Sequence, residues 1–475
     1  MTTLKNKLQK STFRQKFHEN LGFEPTEDQW LAIENLTDFL WNISDIEVFI
    51  LNGFAGTGKS SLVGAFVKTL DQIRFQSVLM APTGRAAKVL SNYSGKPAAT
   101  IHRTIYSHST RADGGSYVQL IDNKKTNCLF IVDEASMVSA GSGSGSRDLL
   151  QDLVEYVYSA NNCKLIFVGD QGQLPPVGVE KSPALDPNFL SRIYGLKVVK
   201  VSLNQIVRQD QTSGILEASL QLRHWEENTP LLPTNQVDCV SINGNELQEE
   251  IESCISEFGQ EEVIVVSRSN KRANLFNEQI RHRIMWQEDE LNAGDVLMCV
   301  SNNYFWLEPK SEAGFLANGE MMRIKKIIRR EEIFGCKFAD VIMELPDYPK
   351  MGEQTIKILI DTLRIEGPSM PRPQLAELFH RIGREEYPDE TNKRRRSRKI
   401  MENPYFQAVQ VKFGYAVTCH KAQGGQWETV FVDQGYFIPE MWDEEYMRWL
   451  YTAVTRARSK VYLLNFSEAF VGERD

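Results

Sequence analysis

Short apolar runs alternate with amphipathic stretches over the first 200 residues of the chain. Residues 46–51 form an apolar run that leads into a glycine-rich turn, and Ser60 to Leu70 then carries apolar residues at helical spacing. Further apolar runs at 77–81, 129–132 and 164–168 each lie near a stretch with a helical pattern. This alternation predicts a parallel sheet with helices on both faces. The first 45 residues have a polar, helical pattern of their own.

The same rhythm returns after residue 260, but it is interrupted. Strands are predicted at 263–266, 428–432 and 461–464, and helices at 270–284 and 440–455. The segment from about 290 to 404 has β-type runs and no strand–helix alternation. We therefore predict an α/β chain of three parts: an N-terminal helix with a first α/β domain at 1–200, a second α/β domain at 201–289 and 405–475, and a β-rich domain inserted at 290–404.

Composition narrows the class of protein only slightly. The chain has 475 residues, with 42% hydrophobic and 24% charged residues, which are ordinary globular values. No run approaches the roughly 20 apolar residues that span a bilayer, and the basic N-terminus lacks the apolar core of a signal peptide. The seven cysteines include no Cys-x-x-Cys pair, so we expect neither a disulfide framework nor a zinc site, and we predict a cytoplasmic protein of bacterial or phage type. The net charge of −8 disfavours nucleic acid only weakly, because a groove can be basic on an acidic protein.

The strongest motif lies directly after the first predicted strand. Residues 53–60 read GFAGTGKS, which matches the phosphate loop G-x-x-x-x-G-K-[ST] in its required context between a strand and a helix. Backbone N–H groups of such a loop surround phosphates, and the following helix N-terminus adds positive potential. Lys59 would reach the β- and γ-phosphates, and the Ser60 hydroxyl would hold Mg²⁺. We assign nucleotide binding to Gly53, Ala55, Gly56, Thr57, Gly58, Lys59, Ser60 and Ser61.

A second motif ends the strand predicted at 129–132. Two carboxylates, Asp133 and Glu134, follow it directly. Hydrolysis of a nucleoside triphosphate needs one carboxylate to organise Mg²⁺ and another to orient or deprotonate water. Asp133 suits the first role and Glu134 the second. A strand that ends in Asp-Glu is also a common strand cap, but its place behind a phosphate loop favours the catalytic interpretation.

Six further segments have a recognisable wording. They are APTGRAAK at 81–88, TIHR at 100–103, GDQGQLPPV at 169–177, LNQIVRQ at 203–209, VTCHKAQG at 417–424 and YTAVTRAR at 451–458. Taken in order, with the two motifs above, they resemble the motifs of superfamily 1 helicases over residues 26–464. The first, second and fifth are similar to the RecD/Dda branch, which moves 5′ to 3′. The resemblance implies two RecA-like domains, a small β-hairpin within 106–127 and an inserted SH3-like domain.

The resemblance also implies roles for individual residues. Gln29 would read adenine, Gln173 would sense the γ-phosphate, and Arg208 and Arg456 would be presented to that phosphate; Gly424 would lie near the nucleotide. Single-stranded DNA would contact Pro82, Thr83, Arg85, His102, Thr418 and His420. Simpler interpretations stay open: Gln29 could belong to a solvated helix cap, the two arginines could be surface residues, and the DNA candidates could be helix caps or buried histidines.

The resemblance predicts an ATP- and Mg²⁺-dependent helicase that moves 5′ to 3′ on single-stranded DNA and opens junctions with duplex. RNA stays possible as a track, and no membrane partner is expected. Three alternatives remain: a motor subunit within a nuclease complex, a metal nuclease built on Asp295 with residues 308–310, and a non-motor phosphate-loop enzyme such as a small-molecule kinase.

Three segments are less informative. Residues 106–127 could be a plain loop instead of a hairpin. The repeat GSGSGS at 141–146 is typical of a flexible linker, natural or engineered. The basic run KRRRSRK at 393–399 is predicted to be a solvated charged loop, although contact with a phosphate backbone is an alternative.

Overall fold

The computed structural model describes residues 2–42, 46–110, 116–141, 148–206, 213–224, 231–308 and 311–472. The chain forms two compact units. The first comprises residues 1–107, 120–227 and 442–455, and the second comprises 108–119, 228–441 and 456–475. Among the described residues, no helix is both long and apolar enough to cross a membrane.

The strands are β1 Glu47–Gly53, β2 Gln76–Ala81, β3 Ala98–Thr100, β4 Tyr106–Thr110, β5 Ser116–Leu120, β6 Cys128–Val132, β7 Lys164–Gly169, β8 Lys197–Leu203, β9 Asn235–Gln236, β10 Cys239–Ile242, β11 Val263–Ser267, β12 Val296–Cys299, β13 Met321–Ile333, β14 Cys336–Glu344, β15 Gln354–Leu359, β16 Val409–Phe413, β17 Ala416–Thr418, β18 Trp427–Asp433 and β19 Ala457–Leu464. The helices are α1 Thr2–Leu21, α2 Glu27–Trp41, α3 Lys59–Gln72, α4 Gly84–Ser94, α5 Ile101–Ile105, α6 Leu149–Tyr158, α7 Pro187–Tyr194, α8 Gly214–Arg223, α9 Leu247–Phe258, α10 Asn270–Gln279, α11 Arg372–Glu385, α12 Lys393–Met401, α13 Cys419–Ala422, α14 Glu444–Val454 and α15 Glu468–Val471.

The first unit is built on a six-stranded parallel sheet in the order β3-β2-β6-β7-β1-β8. Every residue of β1, β6 and β7 is buried, which explains why apolar residues dominate these strands. Helices α1, α2 and α3 pack on one face through aromatic residues that include Phe13, Phe17 and Phe66. The boundary predicted at residue 200 falls inside β8, which is the edge strand of this sheet because it pairs with β1.

The second unit contains another six-stranded sheet, ordered β17-β11-β18-β19-β10-β9. Its strands are parallel except for the short β9, which pairs antiparallel with β10. The predicted helix at 270–284 is α10 followed by a π-helical turn at Ile280–Ile284. Two doubly wound parallel sheets confirm the predicted α/β class with two RecA-like domains.

A closed five-stranded barrel, β12 to β16, lies within the second unit and confirms the inserted β-rich domain. Its last strand covers Val409–Phe413, beyond the predicted boundary at 404, because β16 pairs with both β12 and β15 and thereby closes the barrel. Helices α11 and α12 lie between β15 and β16 in the chain. They contribute Leu378, Ile382 and Ile400 to an apolar cluster that also contains Phe338 of β14.

Two of the less informative segments acquire a definite structure. The basic run predicted as a solvated loop is the helix α12, whose first turn is capped by the Asn392 side chain. That prediction was wrong because buried Ile400 and the Asn392 cap outweigh the repulsion between neighbouring cations. Strands β4 and β5 pair as a two-stranded sheet within 106–127, whereas the predicted turn at 113–115 and most of the GSGSGS repeat lie outside the described residues.

Candidate nucleotide and nucleic-acid sites

The phosphate loop follows β1 and takes the conformation that its glycines permit. Gly56 and Gly58 have φ of 78° and 79°, in the left-handed region that residues with a side chain rarely adopt. A Cβ on Gly53 would lie 2.8 Å from Thr57 Oγ1, so this position also has no room for a side chain. The loop then opens α3, whose first turn exposes Ser60 and Ser61. The exposed hydroxyl of Ser60 fits its predicted contact with Mg²⁺.

Lys59 folds back on the loop that carries it. Its ammonium donates hydrogen bonds to the carbonyls of Gly53 and Phe54, the latter at 2.8 Å, and lies 4.0 Å from Asp170. These backbone carbonyls are weaker partners for a cation than phosphate oxygens are. The lysine is therefore held beside the loop and can exchange its carbonyl partners for phosphate.

Both carboxylates follow β6 directly, at the carboxyl end of the parallel strands, and Asp133 is held in place by hydrogen bonds. Its oxygens accept hydrogen bonds from the Tyr93 hydroxyl at 2.6 Å and from the Glu134 N–H at 2.9 Å. Burial raises the pKa of Asp133, while the bonds from Tyr93 and Glu134 and the charge of Lys59 lower it. Burial and, to a smaller extent, the neighbouring Asp133 carboxylate raise the pKa of Tyr93, so this hydroxyl stays a donor.

Glu134 has an unusual backbone for a residue with a side chain. Its φ of 50° and ψ of 39° lie in the left-handed region. Such a conformation costs roughly 1–2 kcal/mol and is concentrated at functional sites. The backbone strain turns the chain sharply after Asp133, which supports a specific role for Glu134.

Gln29 combines the two interpretations that the sequence left open. It belongs to a capping box with Thr26 at the start of α2, yet it is fully buried. Its amide nitrogen donates to the carbonyl of Thr57 at 3.1 Å. The residue is therefore not a solvated cap: it connects α2 to the phosphate loop.

The segment after β7 is connected to the phosphate loop by a tyrosine that the sequence did not single out. The buried Tyr451 hydroxyl accepts the Ala55 N–H and donates to Asp170, both at 2.8 Å. Three residues after Asp170, Gln173 is buried, and its amide oxygen has no hydrogen-bond partner among the described residues. A buried amide with unused hydrogen-bonding capacity fits a residue whose partner arrives with a bound ligand. Tyr451 opens the YTAVTRAR segment, so the motif already contained this signal; Tyr93 had none.

The DNA candidates of the first unit lie at the ends of β2 and β3. Thr83 caps α4, because its hydroxyl accepts the Ala86 N–H at 3.2 Å, and Pro82 and Arg85 flank it, half-buried. His102 lies in α5, half-buried, with its ring 5.6 Å from that of Tyr106. The capping role predicted as the simpler alternative for Thr83 is thus present, and it leaves the DNA role a prediction.

The second unit holds the remaining candidates near one another. Thr418 precedes α13, His420 lies within it, and Gly424 follows it with φ of 74°. Arg456 is buried, in contrast to the surface arginine of the alternative interpretation, and donates to the Gly425 carbonyl at 3.3 Å. The Arg456 end of the YTAVTRAR segment therefore contacts the residue that follows the VTCHKAQG segment. Arg208 lies outside the described residues.

Two buried lysines accompany these candidates. Burial, together with the smaller effect of the Lys421 charge, lowers the pKa of Lys412 in β16 to about 8. Burial likewise lowers the pKa of Lys421 in α13 to about 8. Part of the positive charge near α13 is therefore lost just above neutral pH.

The nuclease alternative finds no support at Asp295. This fully buried carboxylate is engaged by Arg281 at 2.8 and 2.9 Å, by the Tyr415 hydroxyl at 3.0 Å and by the Asn292 N–H at 2.7 Å. A carboxylate that accepts these four hydrogen bonds has little capacity left for a metal ion. Among the described residues, no group of three or more His, Cys, Asp or Glu side chains could hold a metal.

Two domain families match the chain in order. An AAA domain matches residues 26–241, and a UvrD-like helicase C-terminal domain matches residues 413–464. An uncharacterized protein of Acanthamoeba polyphaga mimivirus is 24% identical over 91% of this chain and 98% of its own length. The ATP-dependent RecD2 DNA helicase of Deinococcus radiodurans is 21% identical over 92% of this chain and 49% of its own length. The ATP-dependent DNA helicase dda of Enterobacteria phage T4 is 27% identical over 38% of each chain.

The chain thus spans less than half the length of the two named helicases that it matches. The two domains nevertheless occur in the order that the motifs predict, and the alignment with RecD2 extends over nearly the whole chain. The chain therefore carries an AAA domain followed by a UvrD-like helicase C-terminal domain, and it is similar to the RecD2 and Dda helicases whose motifs it resembles.

Proposed function

We propose that this protein is an ATP-driven DNA helicase that moves 5′ to 3′ along single-stranded DNA and separates strands at a junction. The order of strands in the first sheet carries the proposal. From β1 through β7, β6 and β2 to β3, the carboxyl ends of parallel strands lie along one edge. The groups that follow these strands are, in the same order, the phosphate loop, Gln173, Asp133 with Glu134, Thr83 and His102. The hydrolytic carboxylates therefore lie between the nucleotide loop and the DNA candidates.

The nucleotide would be held by residues 53–61, with Gln29 beside the loop, and the resemblance adds Gly424 and Arg456 as nucleotide contacts. Ser60 and Asp133 would hold Mg²⁺, which usually takes one or two carboxylates and substrate phosphates in such sites. Magnesium supplies charge neutralisation of the phosphates when it is bound.

The chain's own residues then divide the work. Glu134 accepts a proton from water or orients it, Lys59 neutralises phosphate charge, and Arg456 stabilises the charge that spreads in the transition state. Gln173 contacts the γ-phosphate and thereby senses whether ATP is bound.

A mechanical connection between the two functions supports the same proposal. Helix α4 starts at the DNA candidate Thr83 and ends beside Tyr93, whose hydroxyl is bonded to Asp133. A shift of α4 on DNA binding would move a ligand of Mg²⁺. The helix thus offers a physical route by which DNA could stimulate hydrolysis. The proposed site of action is the cytoplasm of a bacterium or of a phage-infected cell.

An ATPase assay with and without a single-stranded oligonucleotide tests this function. We expect low turnover without DNA and strong stimulation by DNA, with Lys59→Ala as the inactive control. DNA-independent turnover that requires a small phosphate acceptor would instead identify a kinase. If DNA does not stimulate hydrolysis by the protein alone, and hydrolysis appears only after nuclease subunits are added, the protein is a motor that works within a complex.

A further inference from the structure

Helix α12 presents an unusual concentration of positive charge. Six of its nine residues are Lys or Arg. One side of the helix is fixed against α11: Ile400 is buried, and Arg396 donates to the Gly383 carbonyl at 3.0 Å. A Cβ on Gly383 would lie 2.9 Å from Ile400 Cδ1, so the glycine is what permits this close approach. The helix therefore has a fixed inner side, and its other side faces solvent.

The first turn of α12 carries three exposed cations. Lys393, Arg394 and Arg395 are exposed, and within the part of the chain that the structure describes none of them forms an ion pair. Arg398 pairs with Glu402 at 3.0 Å and Lys399 pairs with Glu390 at 3.0 Å. Among the described residues, these three adjacent cations thus have no ion-pair partner, although the charge of Arg395 helps to lower the pKa of Glu390, on a chain with a net charge of −8.

Stability does not account for these three residues. They occupy the first turn of α12, where the helix dipole favours anions and each cation costs about 0.3–1 kcal/mol at low salt. The Asn392 side chain already accepts the N–H groups of Arg394 and Arg395, so the backbone of this turn is satisfied without them. Cations at a helix N-terminus are unfavourable, and no contact is seen that offsets their cost. Such residues indicate a function.

Arg394, Arg395 and Arg398 form the basic face of α12, and Lys393 lies beside them at its N-terminal end. We propose that these four cations bind the phosphate backbone of duplex DNA. Residues 394 and 398 are one turn apart, so their Cα atoms are separated by about 6 Å along the helix, roughly twice the 3.4 Å axial spacing of phosphates on one strand. Single-strand sites add aromatic side chains on which bases stack, and α12 contains none. The face therefore suits a sequence-independent contact with duplex. This contact is separate from the proposed helicase function, because it involves none of the nucleotide or single-strand candidates.

The test replaces three charges and measures duplex binding at several salt concentrations. The variant Lys393→Gln, Arg394→Gln, Arg395→Gln should bind a blunt duplex more weakly. Its slope of log K against log salt should decrease by about 0.9 per lost contact, and so by about 2.7 for three. The matched control, Lys68→Gln, Arg192→Gln, Lys271→Gln, removes the same charge from exposed positions elsewhere and should keep the wild-type slope.

Three further readouts distinguish a binding role from a structural one. Thermal unfolding of the α12 variant should be unchanged or shifted to higher temperature, because unfavourable charge leaves the first turn. Affinity for a single-stranded oligonucleotide and DNA-stimulated ATPase activity should stay at the wild-type level. Arg394→Lys, Arg395→Lys keeps the charge and should keep the slope.

An unchanged duplex slope in the α12 variant would overturn the proposal. An equal decrease in the control variant would also overturn it, since only net charge would then matter. An equal loss for single-stranded DNA would assign the face to the single strand instead of the duplex.

Discussion

Replacing Tyr93 by Phe removes one hydroxyl that holds the predicted Mg²⁺ carboxylate. The Tyr93 hydroxyl donates to Asp133 at 2.6 Å, and the Asp133 carboxylate is otherwise held by the Glu134 N–H. A hydrogen bond to a charged group contributes about 1.5–3 kcal/mol, which corresponds to roughly 10- to 100-fold. Loss of a partner that orients a metal ligand typically costs the same 10–100-fold in metal affinity or activity. We therefore expect Tyr93→Phe to need at least about tenfold more Mg²⁺ for half-maximal ATPase activity.

The same substitution should change the pH profile in a defined direction. Burial raises the pKa of Asp133, and the bond from Tyr93 lowers it. Without that bond the pKa rises further, and a larger fraction of the carboxyl is protonated at any acidic pH. Because the protonated form is a poor Mg²⁺ ligand, the acidic limb of the ATPase profile should move to higher pH.

The assay is steady-state ATP hydrolysis at saturating single-stranded DNA, with Mg²⁺ and pH varied in turn. Tyr158→Phe is a matched control, since its hydroxyl also donates within the first unit, to the Glu47 carbonyl at 2.9 Å, but it is not bonded to a site carboxylate. The control should keep the wild-type Mg²⁺ dependence. If Tyr93→Phe shows wild-type Mg²⁺ dependence and an unmoved acidic limb, the Tyr93–Asp133 bond does not position a metal ligand.

Three other predictions concern the proposed catalytic base, the proposed transition-state arginine and a buried lysine. Glu134→Gln should bind ATP and fail to turn over, whereas near-wild-type hydrolysis would assign the base elsewhere. Arg456→Ala should reduce turnover by roughly 10³–10⁵ with a much smaller loss of nucleotide affinity, and equal losses would indicate a ground-state contact. For Lys412, the folded pKa of about 8 lies below the ordinary value of 10.5, so protonation favours unfolding and the free energy of unfolding should rise between pH 8 and 10.5. Lys412→Met should raise the free energy of unfolding at pH 7 by about 2 kcal/mol and flatten that rise; an unchanged pH dependence in denaturant titrations would contradict this.

The sequence predicted the parts of this fold that depend on local pattern. The buried strands β1, β6 and β7 and the phosphate loop follow from continuous apolar runs and from glycines with a required conformation. The residues at which the domains begin and end were harder to predict from the sequence. Strand β8 joins the first sheet and β16 closes the barrel through pairing with strands distant in sequence, and a local pattern does not encode such pairing.

The site shows the same division. Asp133, Glu134 and Lys59 could be proposed from the sequence because each belongs to a motif with a known chemistry. Tyr93 was missed because its partner lies 40 residues away in the chain, and a tyrosine at the end of an amphipathic helix is ordinary. The helix at 393–401 was missed because six cations in nine residues conceal the buried Ile400 and the Asn392 cap.

Directional unwinding tests the central claim of this account most directly. A labelled duplex is placed beside a 5′ single-stranded tail or a 3′ tail, and strand separation is followed with ATP, Mg²⁺ and a trap strand. Lys59→Ala, which lacks the cation that holds the phosphates, serves as the control for ATP dependence. The account predicts ATP-dependent opening of the 5′-tailed duplex and little activity on the 3′-tailed one. Preferential opening of the 3′-tailed duplex, or no opening of either by a DNA-stimulated ATPase, would contradict it.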